Sequence, residues 1–206
     1  MKPLSVDRIQ NRTKVLGPGV RTAVWFHGCP RHCPGCIASS MNVSSTFSEF
    51  SPEELSGRVL SVEGAEGVTL SGGEPFAQDP EAMGSFLSAV RAVGSGVMVY
   101  TGFQIEELES DAALRGLLPY IDLLVDGPYM ENEDHGERWR GSSNQRFHFL
   151  TDRYASLAGR IEGEKDRSME VELGDGSSFT FAGIPPRGFR GRLEDGLRRK
   201  GFEIGW

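Results

Sequence analysis

The sequence predicts an α/β fold, a partial (βα) barrel with a mostly parallel sheet, followed by a small C-terminal β-hairpin and helix. Between residues 20 and 125, short β-branched and aromatic runs alternate with stretches whose apolar residues recur at helical spacing. This alternation is typical of parallel strands connected by helices. From residue 168 two runs alternate in polarity, as in an antiparallel hairpin. We therefore expect a barrel domain over residues 1–160 and an appendage over residues 161–206.

The individual elements follow from local signals. Residues 20–26 form a β-branched and aromatic run that ends before Gly28 and predict the first buried strand. Ser51 before Pro52 has the form of a helix N-cap, with two glutamates in the first turn. The later elements are, in order, a strand over 67–71, a helix over 80–93, a strand over 97–101, a helix over 104–117, a strand over 121–125, a hairpin within 168–184 with its turn at Gly174, Asp175 and Gly176, and a helix over 190–200.

The composition is that of a globular protein with an acidic surface. Hydrophobic residues make up 38% and charged residues 25%, which is enough apolar material for a core. Lys and Arg total 22 against 29 Asp and Glu, so the formal charge of −7 disfavours nucleic acid as a partner. No stretch approaches the roughly 20 apolar residues that cross a bilayer, and the N-terminus lacks a signal-peptide core. We expect a cytoplasmic protein with no membrane contact.

The three cysteines fall in one short segment, at Cys29, Cys33 and Cys36. An odd number this close together does not form a disulfide framework, so a metal in a reducing compartment is the better explanation. Thiolates are soft ligands that favour an iron–sulfur cluster or zinc. Cubane clusters normally use four cysteines, so three would leave one iron open to a small bidentate ligand. The alternative is a structural zinc completed by His27 or His32.

Glycines and polar residues follow three of the predicted strands. Gly72, Gly73 and Glu74 come after strand 67–71, Thr101 ends strand 97–101, and Asp126 follows strand 121–125. Functional residues gather where parallel strands end at one edge of a sheet, so we expect these residues to share one site with the cysteines. Each also has a plainer interpretation: a Gly-Gly turn beside a surface glutamate, a hydroxyl that caps a strand end, and a turn aspartate.

Three segments resemble the radical S-adenosylmethionine (SAM) superfamily. Residues 17–36 read GPGVRTAVWFHGCPRHCPGC, residues 67–78 read GVTLSGGEPFAQ, and residues 123–147 read LLVDGPYMENEDHGERWRGSSNQRF. Within the superfamily the likeness is to activases of glycyl-radical enzymes, especially the activating component of anaerobic ribonucleotide reductase. It spans roughly residues 14–150 and does not reach the segment after residue 160.

The resemblance implies a four-iron four-sulfur (4Fe-4S) cluster on the cysteine triplet, with SAM chelated to the open iron. It implies reductive cleavage of SAM to methionine and a 5′-deoxyadenosyl radical that abstracts a hydrogen atom. By the same resemblance, Gly72 and Gly73 let the backbone approach SAM, and Glu74 or strand-end carbonyls receive the methionine ammonium. Thr101 and Asp126 are then further SAM contacts.

A polar cluster near residue 140 is another expected contact, and Arg140 is its leading candidate. Arg and amide side chains hold carboxylates and riboses well, so the cluster would contact SAM or a substrate. Its plainer interpretation is a solvated helix start. The cluster consists of Arg138, Trp139, Arg140, Asn144, Gln145 and Arg146.

Two enzymatic functions fit these expectations. The first is an activase that abstracts hydrogen from a backbone glycine of a large glycyl-radical enzyme, admitted through the open side of a partial barrel. The second is an enzyme that acts directly on a peptide or small metabolite in a pocket covered by the appendage. Either needs an electron donor such as flavodoxin or ferredoxin. A zinc or electron-transfer module, the third alternative, makes no use of the GGEP segment. For residues 161–206, a lid, a partner dock and extra core all stay open.

Overall fold

The computed structural model describes residues 1–42, 46–174 and 178–202. The elements in this part of the chain are β1 (Leu4–Thr13), β2 (Arg21–Phe26), β3 (Ser48–Phe50), α1 (Pro52–Leu60), β4 (Gly67–Gly72), α2 (Pro80–Ala92), β5 (Gly96–Tyr100), α3 (Ile105–Ser110), α4 (Ala112–Arg115), β6 (Leu123–Asp126), β7 (Arg146–Phe149), β8 (Met169–Leu173), β9 (Phe179–Gly183) and α5 (Phe189–Arg198).

The sheets confirm the predicted fold class. Among the described residues, seven strands form one sheet in the order β3-β1-β2-β4-β5-β6-β7, and β8 and β9 form a second. The four central strands β2, β4, β5 and β6 are parallel. Antiparallel strands flank them, β1 with β3 on one side and β7 on the other. The carboxyl ends of the four parallel strands therefore meet at one edge.

The central strands are buried on both faces, which explains their continuous apolar runs. Val97 and Val99 of β5 belong to the large core that α1 and α2 cover. Met98, between them, belongs to a second core with Leu123 and Trp139 on the other face. Residues of the C-terminal part of the chain complete that side of the sheet.

Several predicted elements are confirmed, with boundaries that move by one or two residues. Ser51 caps α1 in a capping box, in which Ser51 Oγ accepts from Glu54 N and Glu54 Oε2 accepts from Ser51 N. The single helix predicted over 104–117 is wrong, because Asp111 adopts extended backbone and caps a new helix, α4. The solvated helix start at the polar cluster is also wrong, since a turn there leads into β7.

The N-terminal strand β1 was not anticipated from the sequence. Leu4 and Val6 are buried, but the pairing register of β1 with β2 shifts between Val6 and Arg8 and again between Gln10 and Thr13. These irregularities break the strict alternation by which a strand is recognised. An inner strand of the sheet is therefore not recognisable from the polar sequence at the start of the chain.

The predicted appendage forms a hairpin and a helix that contact the barrel. Arg8 donates a hydrogen bond to Phe181 O at 3.0 Å, and Ala182 is 1% exposed in a core it shares with Leu16 and Trp25. The hairpin therefore packs on the open side of the sheet. Of its predicted turn, Asp175 and Gly176 lie outside the described residues.

None of the helices in the described part of the chain has the length and apolarity needed to cross a membrane.

A buried arginine holds the amino ends of the parallel strands together. Arg21, fully buried at the start of β2, donates hydrogen bonds to three main-chain carbonyls and to the hydroxyls of Thr69 and Tyr154. One of the carbonyls belongs to Gly96 at the start of β5. Arg21 therefore ties together the amino ends of β2, β4 and β5, at the end of the barrel opposite the cysteines.

We expect Arg21→Met to lower the free energy of unfolding by about 3 kcal/mol, because it leaves several buried acceptors without a donor. Urea denaturation monitored by circular dichroism measures the change. Arg160→Met, at an exposed position, is the control and should change stability by less than about 0.5 kcal/mol. Equal stability of the two variants would contradict the role assigned to Arg21.

Candidate active site

A cavity of about 440 Å³ opens at the carboxyl edge of the parallel strands. The residues that line it follow four strands in turn: Cys29, Cys33 and Cys36 after β2, residues 72–74 at the end of β4, Thr101 and Gly102 after β5, and Gly127 after β6. Residues 184–190, which follow β9, form a further wall. The structure thus brings together all three predicted metal ligands and four of the six predicted SAM contacts.

The cysteine loop is tightly coiled. Gly28, His32 and Gly35 have φ angles of 80°, 47° and 75°, in the left-handed region that glycine adopts most readily. Cys36 N donates to Cys33 O at 3.2 Å, and all three cysteines are half-buried. The coil holds three thiols along one short stretch of the cavity wall.

The thiols influence one another electrostatically. Burial raises the pKa of the Cys29 and Cys36 thiols above the usual value, and the charge of Cys33 adds to the rise at both. Thiolates gathered in this way repel each other until a cation binds, and binding then releases their protons. The donor set therefore fits a cationic iron–sulfur cluster.

A zinc site has no comparable support. In the described parts of the chain, no group of three or more His, Cys, Asp and Glu side chains is arranged to hold a single metal ion. A cubane differs, because each cysteine binds a different iron and the thiols can lie farther apart. His27 is engaged elsewhere, with Nδ1 3.1 Å from Asp7 Oδ2 and its ring stacked on Phe47. His32 is exposed and lies outside the cavity lining.

The two glycines of the GGEP segment bring the β4 loop against the cysteine loop. Gly73 N donates to Phe26 O and Glu74 N donates to Gly28 O, both at 2.8 Å. A β-carbon on Gly73 would lie 2.2 Å from Gly28 O, and Gly72 has a φ of 97°. The close approach that requires glycine here is therefore between two loops of the chain itself.

Glu74 is a buried carboxyl group that accepts three hydrogen bonds within the site. It is 1% exposed, so the surface-glutamate interpretation is wrong. Oε1 accepts from Phe76 N at 3.0 Å and from Thr101 Oγ1 at 2.8 Å, and Oε2 accepts from Gly102 N at 2.8 Å. Burial raises the pKa of Glu74 to about 7, although the hydrogen bonds act in the opposite direction. The carboxyl group joins the end of β4 to the end of β5.

Asp126 lies outside the cavity lining. It is fully buried at the end of β6, accepts from Ile105 N at 2.7 Å, and pairs with Arg146. Burial acts to raise its pKa, but the hydrogen bonds from Arg146 and Ile105 hold the pKa of Asp126 below the usual value. Its carboxylate fastens the start of α3 to β7, and a SAM contact through it stays a prediction.

The side chains of the polar cluster bond to acidic side chains and to main chain of the protein itself. Arg140 donates to Gln145 O at 2.9 Å and lies over the ring of Phe147, outside the cavity lining. Gln145 lines the cavity, donating to Gly127 O at 2.9 Å and accepting from Gly141 N at 2.7 Å. The predicted contact of Arg140 with SAM or substrate likewise stays a prediction, and Gln145 is the member that the structure places at the cavity.

Other lining residues were not singled out from the sequence. Arg31 donates to both carboxylate oxygens of Glu107 at 2.6 Å and lies over the ring of Phe103. Tyr129 falls in the third matched segment, so the resemblance could have identified it. Residues 184–190 belong to no matched motif, and only their position in the fold assigns them to the site.

Comparison with known proteins agrees with this geometry. The model of the family described as a 4Fe-4S single cluster domain matches residues 15–148. The chain is similar to anaerobic ribonucleoside-triphosphate reductase-activating proteins. That of Vibrio cholerae is 33% identical over 66% of this chain and 92% of its own length, and that of phage T4 is 32% identical over 72% and 96%. That of Escherichia coli K12 is 32% identical over 66% and 92%.

Among solved structures, QueE from Escherichia coli matches 48% of this chain and 53% of its own, with a TM-score of 0.40 and 16% identity.

We expect Gly73→Ala to lower the unfolding free energy by about 2 kcal/mol, because the new methyl group meets a main-chain oxygen that cannot move aside alone. Displacement of the cysteine loop should also lower the iron bound per protein after anaerobic reconstitution. Chemical denaturation and iron analysis measure the two effects.

Gly57→Ala is the matched control, since its β-carbon would meet nothing within 4 Å. It removes a glycine from the interior of α1 and should raise stability by about 0.5–1 kcal/mol without altering iron content. Wild-type stability and iron content in Gly73→Ala would refute the loop contact.

Proposed function

Because this chain belongs to the family of anaerobic ribonucleoside-triphosphate reductase-activating proteins, we propose that it installs a glycyl radical on a large partner enzyme. The family assignment confirms the resemblance found in the sequence: the chain is a radical SAM enzyme, and its cofactors are a 4Fe-4S cluster and SAM. The observation that carries the proposal is that the cysteine triplet and the GGEP segment line the same cavity.

The chain's own residues bind and orient the cofactors. Cys29, Cys33 and Cys36 would each hold one iron, and the fourth would be left to SAM. When bound, the cluster and SAM supply a 5′-deoxyadenosyl radical that abstracts a hydrogen atom. Glu74 fixes the strand-end backbone, whose carbonyl oxygens would receive the methionine ammonium. Residues 184–190 limit the access of water to the radical.

One observation favours the second function, direct action on a peptide or small metabolite. Residues 184–190 line the cavity, and its volume of about 440 Å³ lies in the range of a site for one small ligand. A substrate that turns over without a partner protein distinguishes this function from the activase.

The proposed activase is tested by incubating the reconstituted protein anaerobically with SAM, a reductant and an anaerobic ribonucleoside-triphosphate reductase. We expect electron paramagnetic resonance to show a glycyl radical on the reductase, and chromatography to show 5′-deoxyadenosine. Cys33→Ala should lose both signals together with the cluster absorbance, because two cysteines do not retain a cubane.

Retention of the cluster and of SAM cleavage in Cys33→Ala would contradict the assignment of Cys33 as a cluster ligand. Formation of 5′-deoxyadenosine without a glycyl radical would leave the radical chemistry standing and reject this partner. In that case the direct action on a peptide or metabolite becomes the better account.

We expect Glu74→Gln to weaken SAM binding about tenfold, because the amide NH₂ would face a main-chain N–H where a carboxylate oxygen now accepts. Cluster content should be unchanged, since Glu74 is not a ligand. Anaerobic equilibrium dialysis with labelled SAM measures the affinity. Thr101→Val is the matched variant, because it removes a single bond to the same carboxylate and should have a smaller effect. SAM affinity unchanged in Glu74→Gln and in Glu74→Ala would exclude Glu74 from the site.

A further inference from the structure

The C-terminal segment has a charge opposite to that of the remaining chain. Residues 187–200 contain six Lys or Arg and two Asp or Glu, a formal charge of +4. Since the whole chain carries −7, the remaining residues together carry −11. A segregation of this kind indicates an electrostatic interaction surface.

The basic segment begins at the cavity. Arg187, Phe189 and Arg190 line the cavity, and Phe189 is the first residue of α5. No residue of α5 is buried over its ten-residue length, about 15 Å. Within the helix Arg190 lies 3.3 Å from Glu194, and the basic residues Arg198, Arg199 and Lys200 at its C-terminal end are exposed. Arg187 lies 3.7 Å from Glu131, with side chains 62% and 51% exposed, so this ion pair is weak and leaves the guanidinium solvated.

An internal anchor fixes the segment relative to the cavity. Arg167 donates to Pro185 O at 3.1 Å, to Asp134 Oδ1 at 2.6 Å and to Gly141 O at 3.1 Å. The Arg167 and Asp134 side chains are 10% and 5% exposed, so their ion pair is shielded from screening by salt. The anchor joins the appendage to the loop that follows β6, and α5 starts four residues beyond Pro185.

We propose that residues 187–200, which comprise α5 and its flanking residues Arg187, Arg199 and Lys200, form a docking surface for an acidic segment of the polypeptide that carries the hydrogen donor. The inference rests on the proposed function in so far as the donor is a protein. Residues 187–200 lie beyond the part of the chain that the family model matches, residues 15–148, so this surface is an addition to the shared barrel. An acidic segment bound along α5 would hold the adjoining backbone at the cavity mouth.

A nucleic acid is the other polyanion that a basic helix can attract. The charge of −11 on the remaining chain opposes a long phosphate backbone that must pass over it, whereas a short acidic segment can stay within a Debye length, about 8–10 Å, of α5. The observations therefore favour the polypeptide.

The test uses the full-length, reconstituted, SAM-loaded protein and three fluorescent probes. The first is a short peptide with glutamates on both sides of a central glycine, the second has glutamines in place of the glutamates, and the third is oligothymidylate of similar length. Fluorescence anisotropy at low and high salt gives the affinities. The test variant is Arg198→Glu/Arg199→Glu/Lys200→Glu, at exposed positions away from the cavity lining. The matched control is Arg58→Glu/Arg115→Glu/Arg160→Glu, with the same change of net charge at exposed positions on other parts of the chain.

We expect the glutamate peptide to bind, to weaken as salt rises, and to bind the test variant at least about tenfold more weakly than the control variant. Equal binding of the glutamine peptide, an equal loss in the control variant, or no binding of the glutamate peptide to the wild type would overturn the proposal. Oligothymidylate that binds as tightly as the glutamate peptide would replace it with a nucleic-acid surface.

Formation of 5′-deoxyadenosine without any peptide, measured on the same samples, separates this inference from the proposed function. The test variant should cleave SAM at the wild-type rate, because none of its three changes lies in the cavity. Absence of SAM cleavage in the wild type would reject the proposed chemistry and leave the peptide result to be judged by itself.

Discussion

The site depends on the buried carboxyl group of Glu74. Its two oxygens accept from three donors on two strand ends, and the main-chain nitrogen of the same residue donates to Gly28 O beside the cysteine loop. The ends of β2, β4 and β5 are thereby held at fixed separations around one cavity. A buried polar network of this kind resists distortion only when every member is hydrogen-bonded, so the loss of one bond weakens the others. Gly73 makes the arrangement sterically feasible, because its missing side chain lets two loops touch.

At the other end of the barrel Arg21 joins the amino ends of the parallel strands β2, β4 and β5. The two ends are held by opposite kinds of group, a hydrogen-bond donor at one and an acceptor at the other. At the amino end the Arg21 guanidinium donates hydrogen bonds to three main-chain carbonyls. At the carboxyl end Glu74, whose pKa burial raises to about 7, accepts hydrogen bonds from two main-chain N–H groups and one hydroxyl.

The appendage changes what the partial barrel offers to a substrate. The shared barrel provides the thiols and the GGEP loop, and residues 184–190 add a wall that Arg167 ties to the loop after β6. In the proposed activase this wall would narrow the approach of a folded partner and shield a radical from water. The basic segment 187–200 would compensate by attracting a segment of opposite charge. Covering the site and recruiting the substrate would then be two properties of the same piece of chain.

The sequence by itself determined the parallel sheet, the cap at Ser51, the cysteine triplet and the position of the GGEP segment and Thr101 at strand ends, because each is a pattern of neighbouring residues. Tertiary structure alone decided β1, whose bulges remove its alternation, and the break of the third helix at Asp111. It also assigned Asp126 to a structural ion pair and residues 184–190 to the cavity. The physical reason is that these features arise from contacts between residues far apart in the chain, such as Arg167 with Asp134, which leave no local pattern.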